Sequence, residues 1–513
     1  MTTVFATKTV EQSIADTDEP GHQLRKRLSA LDLTVFGIGV IIGTGIFVLT
    51  GKAAGKQAGP AVSLSFVFAA VACGLAALCY AEFASTVPVA GSAYTFSYAS
   101  LGELVAWIIG WDLILELALG ASTVAVGWSD YFNDVLNNLF GVSLPSSIAG
   151  EKATVNLAAA GIVLVLTAVI CLGIKVSSQV NLVAVVIKLA IVLLVIVAGL
   201  FFVKVANYSP FIPPAGTKPA PGAAADPSVL QSVFHLSPGA FGVSGIFTAA
   251  ATVFFAFIGF DIVATAAEET KNPQRDLPRG IFGSLAICTL LYVVVSLVIT
   301  GMVKFNKVET KAPLSAAFRA VGKDWIADLV SVGALAGLTT VVMILLLGQS
   351  RVFFAMSRDR LLPAVFSQVS PRFGTPYRVS LVTGAVCALV AAFVPLSTLS
   401  ELVNIGTLFA FIVVSIGVVV LRRTRPDLQR SFRCPAVPLV PVLAVLASLW
   451  LMLNLPAATW ERFFLWMAAG LVVYFAYGRS HSRLQRGQIE TDTAPAPTAG
   501  STRSTPRAEG SPR

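Results

Sequence analysis

The sequence predicts an all-α integral membrane protein of about 12 transmembrane helices with a five-plus-five inverted repeat, in which helices 1 and 6 are broken. Three observations lead to this fold class. Hydrophobic residues make up 56% of the 513 residues and charged residues only 12%, and the mean hydropathy is +0.80. Apolar runs of about 20 residues, the length that crosses a bilayer, recur along the chain. Glycines interrupt the first and sixth runs, as expected of repeat-built folds with a site at the repeat interface.

The apolar runs divide the chain into tails, spans and loops. The predicted spans cover residues 33–51, 60–83, 104–127, 155–172, 180–202, 243–264, 281–303, 329–347, 380–394, 402–421, 437–453 and 463–477. We expect residues 1–29 to be a cytoplasmic tail, 30–204 the first repeat (spans 1–5), 205–240 an external proline-rich loop, 241–424 the second repeat (spans 6–10), 425–478 spans 11 and 12, and 479–513 a disordered cytoplasmic tail.

The first span has an unusual composition for a membrane helix. No charge lies between Asp32 and Lys52, yet the span contains Gly37, Gly39, Gly43 and Gly45. Each glycine weakens a helix by roughly 1 kcal/mol relative to alanine, which favours an unwound segment near mid-membrane. Backbone at that depth is tolerated where it lines a cavity, and an unwound turn can hold both ends of a zwitterion. The alternative is close helix packing through small residues.

The formal charge of +9 is better explained by membrane topology than by nucleic-acid binding. Lysine and arginine are more frequent in both tails and in the links after even-numbered spans than in the links after odd-numbered spans. This asymmetry predicts that both termini lie in the cytoplasm, although the basic link at residues 304–323 is against the trend. The six cysteines and three histidines show no metal or disulfide spacing. We therefore expect no metal site, no cofactor and no enzymatic site.

Four motifs resemble those of a known family. They are GTGIF at residues 43–47, FFAFIGFDIVATAAEETKNPQRDLP at 254–278, GWDLILE at 110–116 and GQSR at 348–351. Over residues 25–480 the chain resembles the amino acid–polyamine–organocation superfamily and, within it, the cationic amino acid transporter family with its bacterial proton-coupled members. The resemblance implies a permease for L-amino acids in the bacterial inner membrane, working by alternating access around spans 1 and 6.

The resemblance also implies how a substrate amino acid binds. The backbone of Gly43 to Gly45 and the hydroxyl of Thr44 are expected to bind the α-carboxylate. Phe255 is expected to cover the substrate as an aromatic lid. The α-ammonium is expected at the carbonyl groups of Ile41, Phe255 and Ile258. Both ends of the ligand would thus bind mainly to backbone, as the glycine-rich span already suggested.

Lys188 lies in an otherwise uncharged apolar run, about 12 Å along the helix axis from Val180. Its stem cannot carry the charge fully to the interface, and an unsatisfied charge at that depth costs at least about 2.5 kcal/mol. It is either a structural lysine paired with a carboxylate or a proton carrier. The resemblance favours a proton carrier and implies four partners: the carbonyls of Gly39 and Ile42 and the hydroxyls of Thr339 and Thr340.

Three carboxylates also lie in or beside the spans. Asp112 and Glu116 share one face of span 3, and Glu116, which lies deeper, is the better candidate for the binding site. Asp261 follows the interruption of span 6. It is either a gating or proton-linked carboxylate or a helix-terminal charge satisfied by backbone amides.

Leu345 bears on the side chain of the substrate. It takes the position of a small polar residue in animal relatives that strongly prefer cations, and here it is apolar. Because a buried unpaired charge is costly, Leu345 favours small neutral amino acids, with Glu116 as the counterweight.

We therefore expect proton symport of small neutral amino acids, driven by the proton gradient. The alternatives are a transporter or exchanger of arginine, lysine and ornithine, and an amino acid sensor that does not transport. The partners are the substrate and the lipid bilayer. The sequence leaves open the oligomeric state and the binding of a small accessory membrane subunit.

Overall fold

The computed structural model describes residues 4–15, 28–87, 89, 92–145, 147–150, 153–173, 178–217, 227–234, 241–368 and 376–487. These residues form helices joined by links, and apart from two isolated bridges they contain no β-structure. Three predicted features lie partly outside the described residues. They are the N-terminal tail, the external loop at 205–240 and the disordered tail at 479–513.

The described chain forms a bundle of membrane-spanning helices, which confirms the predicted fold class. Eight apolar helical stretches have at least 18 residues, and four more apolar helices have 10–17. Span 1 begins with Ala30–Ile41, and its second half runs into span 2 within one apolar stretch, Gly45–Thr86. Spans 2 to 12 are Val62–Thr86, Glu103–Phe140, Leu157–Cys171, Ser178–Leu200, Gly242–Thr265, Pro273–Met302, Asp324–Arg358, Tyr377–Phe393, Leu396–Thr424, Leu439–Leu453 and Ala457–Val473.

Span 1 is broken where the glycines predicted it. Ser29 and Asp32 form a capping box that starts the half-helix Ala30–Ile41. The chain is extended at Ile42 (φ −72°, ψ 94°), and the second half begins with the π-turn Gly45–Leu49. Thr50–Ala53 and the π-turn Ala54–Ala58 continue this second half towards span 2.

Span 6 is broken at the matching place. Its first half, Gly242–Val253, tightens into a 3₁₀ turn at Phe254–Phe257. The chain then extends at Ile258 (ψ 133°), and Gly259 adopts φ +118°, a conformation that side-chain-bearing residues rarely take. A short helix, Ile262–Thr265, follows. Spans 1 and 6 therefore both leave backbone groups without helix partners inside the bundle.

The two breaks lie against each other. A Cβ atom added to Gly45 would overlap the backbone of Ala256, and one added to Gly259 would lie 2.5 Å from Cγ1 of Val40. Close packing, the alternative explanation of the glycines, applies to Gly37, where a Cβ atom would collide with a serine of span 7. The first span therefore uses its glycines both to unwind and to pack.

The helix packing has the pattern of an inverted repeat. An inverted repeat makes span 1 equivalent to span 6, span 2 to 7, span 3 to 8, span 4 to 9 and span 5 to 10. Three equivalent pairs contact each other directly: spans 2 and 7, 3 and 8, and 4 and 9. Other contacts occur in equivalent pairs. Span 1 contacts span 7 as span 6 contacts span 2, span 3 contacts span 10 as span 8 contacts span 5, and span 1 contacts span 5 as span 6 contacts span 10. Such paired contacts are expected when two similar halves of opposite orientation form one bundle.

Both ends of the described chain lie on one side of the bundle, which we call the terminal face. Buried Lys8 pairs with Asp359 at the end of span 8, with 3.3 Å between Nζ and Oδ1. The backbone amide of Arg483 donates to the carbonyl of the same aspartate at 3.2 Å. Glu103 at the start of span 3 accepts a hydrogen bond from the hydroxyl of Ser482. The two ends are thus tied to neighbouring helix termini.

Glu82 connects spans 2 and 10 and the link before span 11 at the terminal face. Its carboxylate accepts hydrogen bonds from Nε and Nη2 of Arg422 at 2.9 and 2.6 Å and from the amide of Cys434 at 2.8 Å. Arg430 lies 3.3 Å away. Because the Glu82 side chain is only 5% exposed, these partners replace its water.

We predict that Glu82→Gln destabilises the protein, because it leaves two arginines without their common carboxylate. The free energy of unfolding should fall by about 3 kcal/mol. This is the lower end of the range for breaking a buried ion pair, because Arg422 keeps contact with water. Thermal unfolding of the purified protein in detergent measures it. Asp427→Asn is the control, since its pair with Arg425 is solvent-exposed and should contribute little. Equal melting temperatures for the two variants would contradict the prediction.

Candidate functional site

A narrow cavity of about 20 Å³, room for roughly one water molecule, lies between the two breaks. Spans 1, 3, 6 and 8 form its walls. The lining residues are Val40, Ile41, Gly43, Thr44, Gly45, Gly120, Val124, Phe255, Ile258, Val341 and Leu345. Seven predicted substrate residues are therefore brought together around one cavity.

One end of the cavity is suited to a carboxylate. The second half of span 1 begins there. The amide of Phe47 donates to the carbonyl of Gly43 at 3.2 Å, whereas the amides at the very start of this half have no preceding helical turn to accept from them. The helix dipole adds partial positive charge at this end. Oγ1 of Thr44 is buried and has no hydrogen-bond partner among the described residues. Gly127 of span 3 makes room for this side chain, since a Cβ atom there would lie 2.9 Å from its Cγ2.

The carbonyl groups of the breaks lie at the same cavity. The carbonyl of Ile41 accepts a hydrogen bond from the hydroxyl of Tyr292 at 2.7 Å, and the carbonyl of Phe255 accepts one from the amide of Ile258 at 3.3 Å. A carbonyl oxygen has two lone pairs, so both groups retain capacity for an ammonium. Tyr292 of span 7 was not recognised from the sequence, because a tyrosine in an apolar span carries no motif.

The remaining wall of the cavity is apolar. It consists of Gly120 and Val124 from span 3 and Val341 and Leu345 from span 8. Glu116, which the sequence placed in the binding site, is not among the lining residues. It lies four residues before Gly120 on span 3. The walls that face a substrate side chain therefore carry no charge.

Lys188 is fully buried beside the first break. Its Nζ donates to the carbonyl of Gly39 at 2.5 Å, one of the four partners expected. The hydroxyls of Thr339 and Thr340 donate to carbonyls within their own helix, and Thr339 also accepts from the indole of Trp128 at 2.9 Å. Among the described residues, no hydrogen bond joins Lys188 to Ile42 or to either threonine.

The three carboxylates of the spans are buried near the terminal-face side of the breaks. The carboxylate oxygens of Asp112 and Glu116 have no hydrogen-bond partner among the described residues. Asp112 packs against Gly406 of span 10, where a Cβ atom would lie 2.7 Å from Oδ1. Oδ1 of Asp261 accepts from the amide of Gly259 at 3.2 Å. Asp261 makes no side-chain cap to the short helix that follows, so its carboxylate is bonded to the backbone of the break itself.

A wider cavity of about 360 Å³ opens towards the terminal face between spans 1, 5, 6 and 8. Its walls include Asp32, Ile262 and Ile344, and the Arg351–Glu269 ion pair, 3.0 Å between atoms, lies at its edge. Ile344 is the neighbour of Leu345, which lines the inner cavity. The two cavities therefore lie close to each other along span 8, but they share no lining residue.

Two broken helices that meet at mid-bundle around a small cavity, with a wider cavity open to one face nearby, are typical of a transporter of the inverted-repeat class. The chain belongs to the amino acid permease family, whose model matches residues 28–475. This confirms the expected family and a transporter rather than an enzyme. No group of three metal-ligating side chains occurs among the described residues.

Curated relatives cover most of the chain. A methylthioribose transporter of Bacillus subtilis (strain 168) is 46% identical over 95% of this chain and 100% of its own length. The branched-chain amino acid permease BcaP of the same organism is 48% identical over 94% and 99%. Vacuolar cationic amino acid transporter 4 of Arabidopsis thaliana is 32% identical over 90% and 93%. The chain is thus similar to proteins with three kinds of named substrate.

We predict that Thr44→Val weakens binding of any amino acid substrate. Valine has nearly the shape of threonine, so the change removes only the buried hydroxyl, which has no partner among the described residues. A hydrogen bond to a charged carboxylate contributes about 1.5–3 kcal/mol, or about 10- to 150-fold in affinity. Ligand-induced thermal shifts measure it.

The control is Thr123→Val, because that hydroxyl donates to Leu119 within span 3 and lies outside the cavity. Native affinity in Thr44→Val would place the carboxylate elsewhere.

Proposed function

We propose that this permease imports neutral amino acids with apolar side chains by proton symport. One observation supports this most strongly: the cavity has its polar groups at the broken helices and only apolar side chains on spans 3 and 8. The polar groups at the broken helices suit the ammonium and carboxylate of any amino acid. The apolar side chains of spans 3 and 8 suit an aliphatic side chain. The proposed site has three parts. Gly43, Thr44 and Gly45 bind the carboxylate, the carbonyl groups of Ile41, Phe255 and Ile258 bind the ammonium, and Phe255 and Leu345 contact the rest of the substrate.

The three named substrates of the relatives fit this cavity differently. A branched aliphatic side chain needs only the apolar wall. A cationic side chain would need a carboxylate in the lining, and Glu116 lies outside it. Methylthioribose is an uncharged sugar thioether, so it would leave the helix N-terminus and the freed carbonyls without charged partners. The cavity therefore favours the branched-chain type of substrate.

The proposal includes an orientation in the bacterial plasma membrane. The links on the terminal face carry most of the lysine and arginine near the spans, among them Arg279, Arg351, Arg422 and Arg479. By the positive-inside rule, the terminal face then lies in the cytoplasm. The wider cavity would be the cytoplasmic half of the transport path.

Energy coupling is assigned to Lys188. It is fully buried, and its ammonium is held by a carbonyl of the broken segment of span 1. Gain or loss of its proton would alter that hydrogen bond beside the binding cavity. Asp261, which is tied to the break of span 6, is the second candidate for proton linkage.

Uptake into proteoliposomes tests the function. With an inward proton gradient, we expect accumulation of labelled alanine, valine and leucine, and little uptake of arginine. Unlabelled methylthioribose should compete weakly. Uptake of arginine without alanine or leucine would favour the cationic alternative, and strong competition by methylthioribose would favour a sugar substrate. Binding without transport of any of these compounds would favour the sensor.

We predict that Leu345→Ser raises uptake of arginine relative to alanine. A hydroxyl at this wall lowers the cost of a polar or charged side chain, which the native leucine leaves without a partner. Glu116→Gln should lower any residual arginine uptake and leave alanine uptake nearly unchanged, because it lies outside the lining. The ratio of initial rates measures both effects. An unchanged ratio in Leu345→Ser would remove this wall from the selectivity of the protein.

We predict that Lys188→Met abolishes accumulation driven by the proton gradient while exchange of internal for external substrate persists. Methionine keeps the length of the buried stem but cannot bind a proton. Lys204→Met is the matched control, because this lysine is exposed after the outer end of span 5. Accumulation that still follows the pH gradient in Lys188→Met would exclude this lysine from proton coupling.

A further inference from the structure

Gly120 is the smallest residue on the apolar wall of the cavity. It lies on span 3 opposite Leu345 of span 8, and both line the cavity. A Cβ atom added to Gly120 would lie 3.6 Å from Cδ1 and 3.7 Å from Cδ2 of Leu345, with no other atom outside its own helix within 4 Å. Both distances are ordinary van der Waals contacts, so a methyl group fits here without displacing the protein.

Most other glycines of the interior lie where a side chain would overlap a neighbouring helix. A Cβ atom at Gly45 would overlap the backbone of span 6, and one at Gly333 or Gly337 would collide with side chains of span 5. These three are needed for close packing. Gly120 is not, because alanine would fit there and is also a better helix former. What its missing side chain provides is open space in the cavity.

We propose that Gly120 determines the size of the substrate side chain, by keeping open the methyl-sized space between spans 3 and 8. This inference rests on the proposed function, since it specifies which neutral amino acids the cavity accepts. With alanine at this position, the wall moves inward by one methyl group. The cavity is narrow, so valine and leucine lose room that alanine as a substrate does not use.

Uptake kinetics of Gly120→Ala test the inference. One methylene group in an apolar pocket changes discrimination by about 10- to 200-fold. We expect the ratio of KM for leucine to KM for alanine to rise at least about tenfold, with the KM for alanine nearly unchanged. An unchanged ratio would overturn the inference.

A double variant separates lost space from an indirect effect on the helix. The delta carbons of Leu345 are the atoms nearest to the new methyl group, so Gly120→Ala with Leu345→Ala should lower the ratio again. A ratio that stays high would mean that the substitution acts through span 3 rather than through the cavity. Gly74→Ala is the control for glycine replacement, because nothing lies within 4 Å of its added Cβ atom.

The wild-type protein distinguishes failure of the inference from failure of the proposed function. If the wild type takes up no neutral amino acid, the proposed function is wrong. If it takes up alanine and leucine, and Gly120→Ala leaves their ratio unchanged, the function stands and Gly120 does not select by size.

Discussion

The contact between the two broken segments is the constraint on which the rest of the structure depends. Gly45 touches Ala256 and Gly259 touches Val40, with no space for a Cβ atom at either glycine. Because the two segments approach each other this closely, the N-terminus of one half-helix and the carbonyls of both breaks reach the same small cavity. Larger residues would separate the segments, and the groups that receive the two ends of an amino acid would no longer converge.

A break inside a membrane is stable only if the freed backbone groups find partners. Side chains of spans 5 and 7 supply two of them: Lys188 donates to the carbonyl of Gly39, and Tyr292 donates to the carbonyl of Ile41. These carbonyls are two residues apart on span 1, and Ile41 lines the cavity. The segment that would bind substrate is therefore also held by the proposed proton carrier. Loss of the ammonium would weaken one of the two supports, which gives the proposed coupling a direct physical route.

The sequence predicted the breaks because glycine and a buried carboxylate carry a signal that apolar residues do not. Gly43, Gly45 and Gly259 lie where an ordinary helix would be weakened, and the structure is broken there. The apolar wall could not be predicted in the same way, because Val124 and Val341 have the spacing and composition of residues that only pack. Glu116 was expected at the binding site because depth along a helix can be counted from the sequence. The direction in which the Glu116 side chain leaves the helix cannot be counted in this way, because it depends on how span 3 packs against its neighbours.

The division of the cavity into a backbone end and a side-chain end bears on how one family serves different substrates. Every amino acid carries the same carboxylate and ammonium, so the broken segments need not change when the preferred substrate changes. The part that must change lies on spans 3 and 8, which pack against each other beside the breaks. Gly120 and Leu345 of this wall contact each other, whereas Gly45 contacts Ala256, so a substitution in the wall does not enter the contact between the breaks. A relative named for an uncharged sugar thioether is the demanding case, since its ligand has neither charged end. For such a ligand the freed backbone groups would have to act as neutral hydrogen-bond donors and acceptors, and the apolar wall would have to supply more of the affinity.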